Sequence, residues 1–159
     1  MEYVSAYPSP IGRITLAGNG RALTGLWFDG QKYFGATLSP VHQEADDPVF
    51  QQTRRWLDEY FQGRRPDFTP PLAPKGSPFR QAVWEALLQI PYGQTATYGA
   101  LAKKLGVKSA QAVGGAVGHN PISLIIPCHR VLGADGSLTG YGGGLELKQT
   151  LLDLERSTL

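Results

Sequence analysis

The chain carries one cysteine, Cys128, and one methionine. A lone thiol cannot close an internal disulfide, and it leaves a four-ligand zinc site short of sulfur ligands. What remains for Cys128 is a small buried hydrophobe or a reactive thiol. No run approaches the roughly 18 consecutive apolar residues of a membrane-spanning helix. Met1 to Ser5 offer neither the basic nor the apolar region of a secretory signal. One cysteine and no such signal make the reducing cytosol the expected compartment. Hydrophobic residues at 42% and charged residues at 18% fit a soluble globular protein. At 159 residues the chain can bury a core, split between a small N-terminal unit and a larger C-terminal one.

Acidic residues are missing altogether between Glu85 and Asp135, where Lys103, Lys104, Lys108 and Arg130 fall. Residues 1–74 hold 7 basic and 8 acidic side chains, whereas residues 75–159 hold 8 and 5. The second half therefore presents a local basic surface, suited to a phosphate backbone or simply to solvent.

Short β-rich runs open the chain at Tyr3 to Tyr7, Ile11 to Ala17 and Leu23 to Phe28, separated by Ser9-Pro10, Gly18-Asn19-Gly20 and Asp29-Gly30. They predict a hairpin or a three-stranded meander. Residues 35–46 read as loop. Asp47-Pro48 then starts a helix as N-cap and first turn, which Gly63 ends. Pro66, Pro70, Pro71, Pro74 and Pro78 crowd a stretch without periodicity. That stretch is the expected boundary between a domain at 1–74 and one at 75–159.

Beyond it the pattern is helical. Ser77-Pro78 caps a helix to about Gln89, with Phe79, Val83, Trp84, Leu87 and Leu88 as its core stripe. Thr97 caps a short helix from Tyr98 to Leu105, Gly106 closes it, and a second runs from about Ser109 to Gly118. Two short helices joined by a tight glycine-containing turn have the spacing of a helix-turn-helix. The second helix is almost entirely small: Ala110, Ala112, Val113, Gly114, Gly115, Ala116, Val117 and Gly118. Glycine inside a helix costs about 1 kcal/mol relative to alanine. Something therefore approaches this helix closely, either a neighbouring helix or a narrow groove.

The chemistry centres on Pro127-Cys128-His129-Arg130-Val131. A thiolate is the nucleophile, and the neighbouring imidazole and guanidinium favour it over the thiol. His129 can serve as base or charge partner, and Glu146, Asp153 and Glu155 are candidates to orient its ring. Tyr98 is either core or a hydroxyl donor into a site. Asn120 is a turn residue or a brace for the cysteine segment. Gly140-Tyr141-Gly142-Gly143-Gly144 lacks the pattern of a phosphate cradle and fits a mobile wall for a planar ligand. His42 and His119, without ligand-type neighbours, read as structural or solvated.

These stretches resemble the O6-alkylguanine-DNA alkyltransferases. The resemblance is carried by Pro127 to Val131, Gly118-His119-Asn120-Pro121, Gly140 to Leu145, Phe79 to Trp84, Ile90-Pro91-Tyr92-Gly93 and Ala112 to Ala116. It covers residues 76–155 densely and the N-terminal part more loosely. It implies an α+β protein: an N-terminal α/β subdomain with a small antiparallel, ribonuclease H-like sheet, then a mostly helical winged helix-turn-helix domain. It implies single-use repair of double-stranded DNA carrying O6-alkylguanine, and O4-alkylthymine as well. The damaged base is flipped out and its alkyl group passes to Cys128, which is not regenerated.

Within the resemblance, His129 is the base acting through a water, Glu155 its orienting carboxylate and Asn120 the brace. Tyr98 presses on the 3′ phosphate and donates to guanine N3. The main chain of Val131 and the Cys128 carbonyl read the guanine edge, and Ser123, Tyr141, Gly142 and Gly143 line the pocket. Ala110, Gln111, Ala112, Gly114 and Gly115 enter the minor groove, with Thr97, Lys108 and Arg130 as further DNA contacts. Gln111 departs from the family, which places an arginine there to fill the gap left by the flipped base. No cofactor or metal is expected, since the zinc ligands of some relatives require several cysteines. A monomer in solution is expected, with clustering on DNA left open. A lesion-binding relative without the thiol is disfavoured by Cys128. A helix-turn-helix regulator is disfavoured by a second helix whose one base-reading side chain is Gln111. A cysteine hydrolase is disfavoured by the lack of an evident oxyanion-hole turn.

Overall fold

A computed structural model describes residues 1–138, 141 and 144–158. The chain divides into two compact units, one of Met1–Lys75 with Pro121–Ser123, the other of Gly76–Asn120 with Leu124–Leu159.

In the first unit, β1 (Glu2–Ser9), β2 (Gly12–Gly18) and β3 (Leu23–Phe28) form the meander expected from the turn residues between them. β1 pairs antiparallel with β2, Tyr7 opposite Ile14, and β2 antiparallel with β3, Leu16 opposite Leu26. A fourth strand, β4 (His42–Glu44), lies where a loop was expected, and it runs parallel to β1 with Tyr3 opposite Gln43. The sheet, in the order β3-β2-β1-β4, is therefore mixed rather than antiparallel. Three exposed polar residues have no apolar alternation to reveal such a strand, and their pairing with β1 is a long-range event.

Helix α1 (Pro48–Phe61) begins at Asp47, whose carboxylate accepts from the Val49 amide and from the Gly20 amide. One buried carboxylate thus fixes both the helix start and the turn before β3. Ile14, Leu16, Leu26, Phe50, Leu57 and Tyr60 are fully buried and form this unit's core. The detached piece Pro121–Ser123 extends the sheet at β3. Leu26 donates its amide to the Pro121 carbonyl at 2.8 Å, and Ser123 donates to the Leu26 carbonyl at 2.9 Å.

The second unit contains α2 (Pro78–Leu88), α3 (Tyr98–Lys104), α4 (Ala110–Gly118) and α5 (Leu145–Ser157), with a 3-10 turn at Cys128–Arg130. Two-residue strands β5 (Ala96–Thr97) and β6 (Val131–Leu132) pair in parallel. Ser77, Thr97 and Ser109 cap α2, α3 and α4 by accepting from the amides of Arg80, Ala100 and Ala112. The indole of Trp84 donates to the Ala116 carbonyl at 2.8 Å and ties α2 to α4. Phe79 and Leu88, expected in the α2 core, are 36% and 40% exposed. They occupy the two ends of the helix, beyond the face that Val83, Trp84 and Leu87 bury.

Candidate active site

Leu124, Ile125 and Ile126 are buried apolar residues leading to the cysteine. Leu124 holds a left-handed backbone, φ 69°, at a cost of roughly 1–2 kcal/mol for a residue with a Cβ. Its complete burial offsets that cost. The chain thereby turns out of the edge segment 121–123 into Pro127. There Cys128 donates its amide to the Ile126 carbonyl and Arg130 to the Pro127 carbonyl, at 2.8 and 3.0 Å. The Val131 amide closes the turn on the Cys128 carbonyl. Asn120 donates its side-chain amide to the Ile126 carbonyl at 2.9 Å and also hydrogen-bonds the Cys128 side chain.

The 3-10 turn is buried, with Cys128 7%, His129 0% and Arg130 7% exposed. Its partner face comes from α5. Lys148, Leu151, Leu152 and Glu155 follow the i, i+3, i+4, i+7 spacing of one helix side, and all four are buried. Glu155 is therefore the carboxylate that meets His129, while Glu146 and Asp153 face solvent. One Glu155 oxygen accepts from His129 Nε2 at 2.5 Å. The other accepts from Arg130 Nε at 2.8 Å and from the Gly93 amide at 3.0 Å.

Burial alone would raise the Glu155 carboxyl. The hydrogen bonds and charges of His129 and Arg130 outweigh it and hold the group at about 2. Burial pushes His129 below its ordinary 6.5, helped by the Arg130 and Lys148 charges and opposed by Glu155. The neutral ring donates from Nε2 to the carboxylate, so Nδ1 carries the lone pair. Nδ1 is buried and has no hydrogen-bond partner among the described residues. The site thus contains a proton acceptor with its ring orientation fixed.

Burial also pushes the Cys128 thiol up, whereas Asn120, the charge of Lys148 and the amides of Cys128 and His129 pull it down. Two expectations are corrected here. The basic neighbours in sequence do not dominate the thiol, because burial outweighs every opposing influence and the resting group is a thiol. Arg130 is not part of the exposed basic surface, since it is buried. Its guanidinium is committed to Glu155, donates to the Ile90 carbonyl at 2.8 Å and lies 5.6 Å from the centre of the Tyr92 ring. A cation in a buried position needs such a partner.

Lys148 went unnoticed in the sequence. It is fully buried, donates to the Val131 carbonyl and sends its charge toward Cys128. A lysine inside the apolar stripe that also contains Glu155 was the signal available. The Cys128 carbonyl accepts from the Val131 amide and the Val131 carbonyl from Lys148, and a carbonyl oxygen has two lone pairs.

Other candidate residues fall elsewhere. Tyr98 is half-buried at the start of α3, and a Cβ added at Gly114 would lie 3.8 Å from its ring. Thr97 has its hydroxyl oxygen engaged as the α3 cap. Ser123 is buried in the first unit, where its hydroxyl meets Gln31 at 3.2 Å. Tyr141 is half-buried, and Gly142 and Gly143 lie outside the described residues. Lys108, Ala110, Gln111, Ala112 and Gly115 are exposed, as are Lys103 and Lys104. A Cβ at Gly115 or Gly118 would meet nothing within 4 Å. Packing inside the protein therefore does not require glycine at either position.

These groups make stability fall on both sides of neutrality. His129 and Glu155 have lowered values in the folded state, so the unfolded chain takes up protons first, near 6.5 and then 4.5. Their contribution is complete above those values and is lost as pH falls. Cys128 is raised above its ordinary 9.0, so its contribution is lost as pH rises past that value. Denaturant titrations across pH are expected to place maximal stability between these limits, and the acid-side slope should shrink in His129→Gln.

Residues 3–74 match the family model described as "6-O-methylguanine DNA methyltransferase, ribonuclease-like domain", and residues 78–157 match "6-O-methylguanine DNA methyltransferase, DNA binding domain". The chain is 47% identical over 156 residues to a Haemophilus influenzae protein named methylated-DNA–protein-cysteine methyltransferase, covering 97% of this chain and 86% of that one. A Mycobacterium tuberculosis protein of the same name is 49% identical over 158 residues, covering 99% and 94%. A crystal structure of Mycobacterium tuberculosis OGT in complex with DNA superimposes with a TM-score of 0.88 at 46% identity, covering 98% of this chain and 94% of that one.

Proposed function

The chain belongs to the 6-O-methylguanine DNA methyltransferase family, and from that premise we propose that it repairs DNA by moving the alkyl group of O6-alkylguanine onto its own Cys128. The observation that carries this reading is the buried thiol beside a neutral imidazole whose Nε2 is tied to Glu155. Asn120 braces the thiol, and Lys148 supplies a charge that favours its ionised form.

The thiol proton passes to His129 Nδ1 through a water, and the soft sulfur attacks the saturated alkyl carbon in line with the departing O6. One S–C bond forms and one C–O bond breaks. The imidazolium is stabilised by the Glu155 carboxylate, and its proton returns by the same route to the departing guanine. An ordinary guanine and an S-alkylcysteine result. The thioether is no leaving group for any residue of the site, so each molecule acts once. With duplex DNA bearing one O6-methylguanine, methyl removal is expected to plateau at one lesion per protein molecule. Continued turnover would reject the reading.

A base inside a duplex is out of reach of a buried sulfur, so the nucleotide must leave the stack. The exposed small residues of α4 suit close approach to a minor groove, and Lys103, Lys104 and Lys108 suit the adjacent phosphates. The Cys128 and Val131 carbonyls are acceptors that suit the guanine edge. Tyr98 is the hydroxyl donor to the flipped base in this reading, and Tyr141 part of its pocket wall. The acting species is a monomer.

Gln111 is exposed on α4 and brings no charge into the space vacated by the base. Gln111→Arg is expected to tighten duplex binding and speed single-turnover repair by about 3- to 10-fold at low salt, with a steeper salt dependence. Unchanged affinity and rate would contradict this role for position 111.

A further inference from the structure

The Ile90-Pro91-Tyr92-Gly93 segment, between α2 and β5, makes three separate contacts with the pair that holds His129. The Ile90 carbonyl accepts from Arg130 Nη1 at 2.8 Å. The Tyr92 ring faces the Arg130 guanidinium at 5.6 Å. The Gly93 amide donates to Glu155 at 3.0 Å. A bond from the Gln94 amide to the Pro91 carbonyl closes the turn, and Gly93 has φ 77°, the backbone that the third position of a type II turn requires. Tyr92 is 8% exposed, and its hydroxyl lies 2.7 Å from the hydroxyl of Thr158, three residues past Glu155. The same turn therefore grips Arg130, Glu155 and the end of α5.

We propose that Tyr92 is a positioning residue for alkyl transfer, its ring holding the Arg130 guanidinium against Glu155 so that the carboxylate keeps His129 in one orientation. A guanidinium on an aromatic face is attracted to the ring's negative centre, more strongly where water is excluded. Without the ring, Arg130 keeps its hydrogen bonds but loses the surface that fixes its plane. Its neutralisation of Glu155 weakens, and the carboxylate acts more strongly on the imidazole. The charged and titratable groups facing His129 are Glu155 and Lys148 from α5, with Arg130 and Cys128 from its own turn. Of these groups Tyr92 contacts Arg130 through its ring, whereas its hydroxyl meets the uncharged Thr158, a contact that Tyr92→Phe removes without removing the ring.

The test follows the single-turnover transfer rate against pH, and the His129 tautomer and titration by nitrogen-15 NMR. Tyr92→Leu is expected to slow transfer about tenfold near neutrality and to move the His129 midpoint upward. Tyr92→Phe keeps the ring and is expected to restore the midpoint, with a rate within about twofold of the unaltered protein. A midpoint unmoved in Tyr92→Leu, or moved equally in Tyr92→Phe, would overturn the proposal. If Tyr92→Leu does not fold, Tyr92→pentafluorophenylalanine reverses the charge of the ring face at similar volume. It is expected to raise the midpoint, and a value equal to that of Tyr92→Phe would overturn the proposal. The inference rests on the alkyl-transfer reading for its rate alone. An unaltered protein that left Cys128 unalkylated would sink that reading, while the His129 titration would still decide this one.

Discussion

Glu155→Gln is expected to slow alkyl transfer by about 100-fold or more and to destabilise the fold by about 3–5 kcal/mol. Both effects have one origin. Glu155 accepts from His129 with one oxygen, and from Arg130 and the Gly93 amide with the other. Glutamine offers a single acceptor oxygen and a pair of donors. Whichever way the amide turns, a donor then faces either His129 Nε2 or Arg130. If it faces His129, the ring must present a lone pair at Nε2 and carry its proton on Nδ1, the wrong tautomer for a base. If it faces Arg130, the Arg130 Nε and the Gly93 amide lose their acceptor, and in either orientation the buried guanidinium loses its counter-charge. Single-turnover rates with an O6-methylguanine duplex, together with denaturant unfolding, check the two effects separately. A rate within threefold of the unaltered protein would remove Glu155 from the account.

Lys148→Met is expected to separate reactivity from stability. The methionine fills a similar volume but brings no charge. Loss of the ammonium removes one of the influences that lower the Cys128 thiol, so the thiol becomes harder to ionise. Alkyl transfer at neutral pH is expected to fall about tenfold as the thiolate becomes scarcer. The Val131 carbonyl loses its donor, at about 1–3 kcal/mol. Taking a lysine charge out of a buried position acts in the opposite direction. The fold is accordingly expected to remain, with the pH dependence of iodoacetamide labelling at Cys128 displaced toward alkali. A labelling profile that does not move would show that Lys148 serves the Val131 carbonyl alone.

How much of this was legible in the sequence depended on the range of the interaction. Capping is local, so Asp47-Pro48, Ser77-Pro78, Thr97 and Ser109 marked helix starts that α1 to α4 reproduce. The glycine at Gly106 likewise marked a helix end and has φ 69°. β4 was invisible because its three exposed residues become a strand only through β1, which is distant in sequence. Arg130 was misread for a similar reason. Nothing beside a positive charge in a sequence says whether its partner is solvent, a phosphate or a carboxylate 25 residues away. Lys148 was the reverse case, since its charge disguised membership of an apolar helix face. Among Glu146, Asp153 and Glu155, spacing alone could not choose. The burial of one face of α5 supplies the geometric reason for Glu155.

The small residues of α4 show what sequence composition can and cannot carry. Their cost as helix residues signalled a constraint, with internal packing and an outside groove equally able to impose it. Open space beside Gly115 and Gly118 removes the internal explanation at those two positions. Val113, Ala116 and Val117 are buried on the opposite side, where Trp84 meets the helix. The helix thus has one packed face and one exposed face that admits a close neighbour.

The most direct measurement is the mass of the peptide containing Cys128 after incubation with an excess of duplex carrying O6-methylguanine. The account expects a gain of about one methyl group on Cys128 in every molecule, none on any other residue, and none in Cys128→Ser. An unmodified Cys128 in protein that has removed the lesion, or a methyl group found elsewhere, would contradict it.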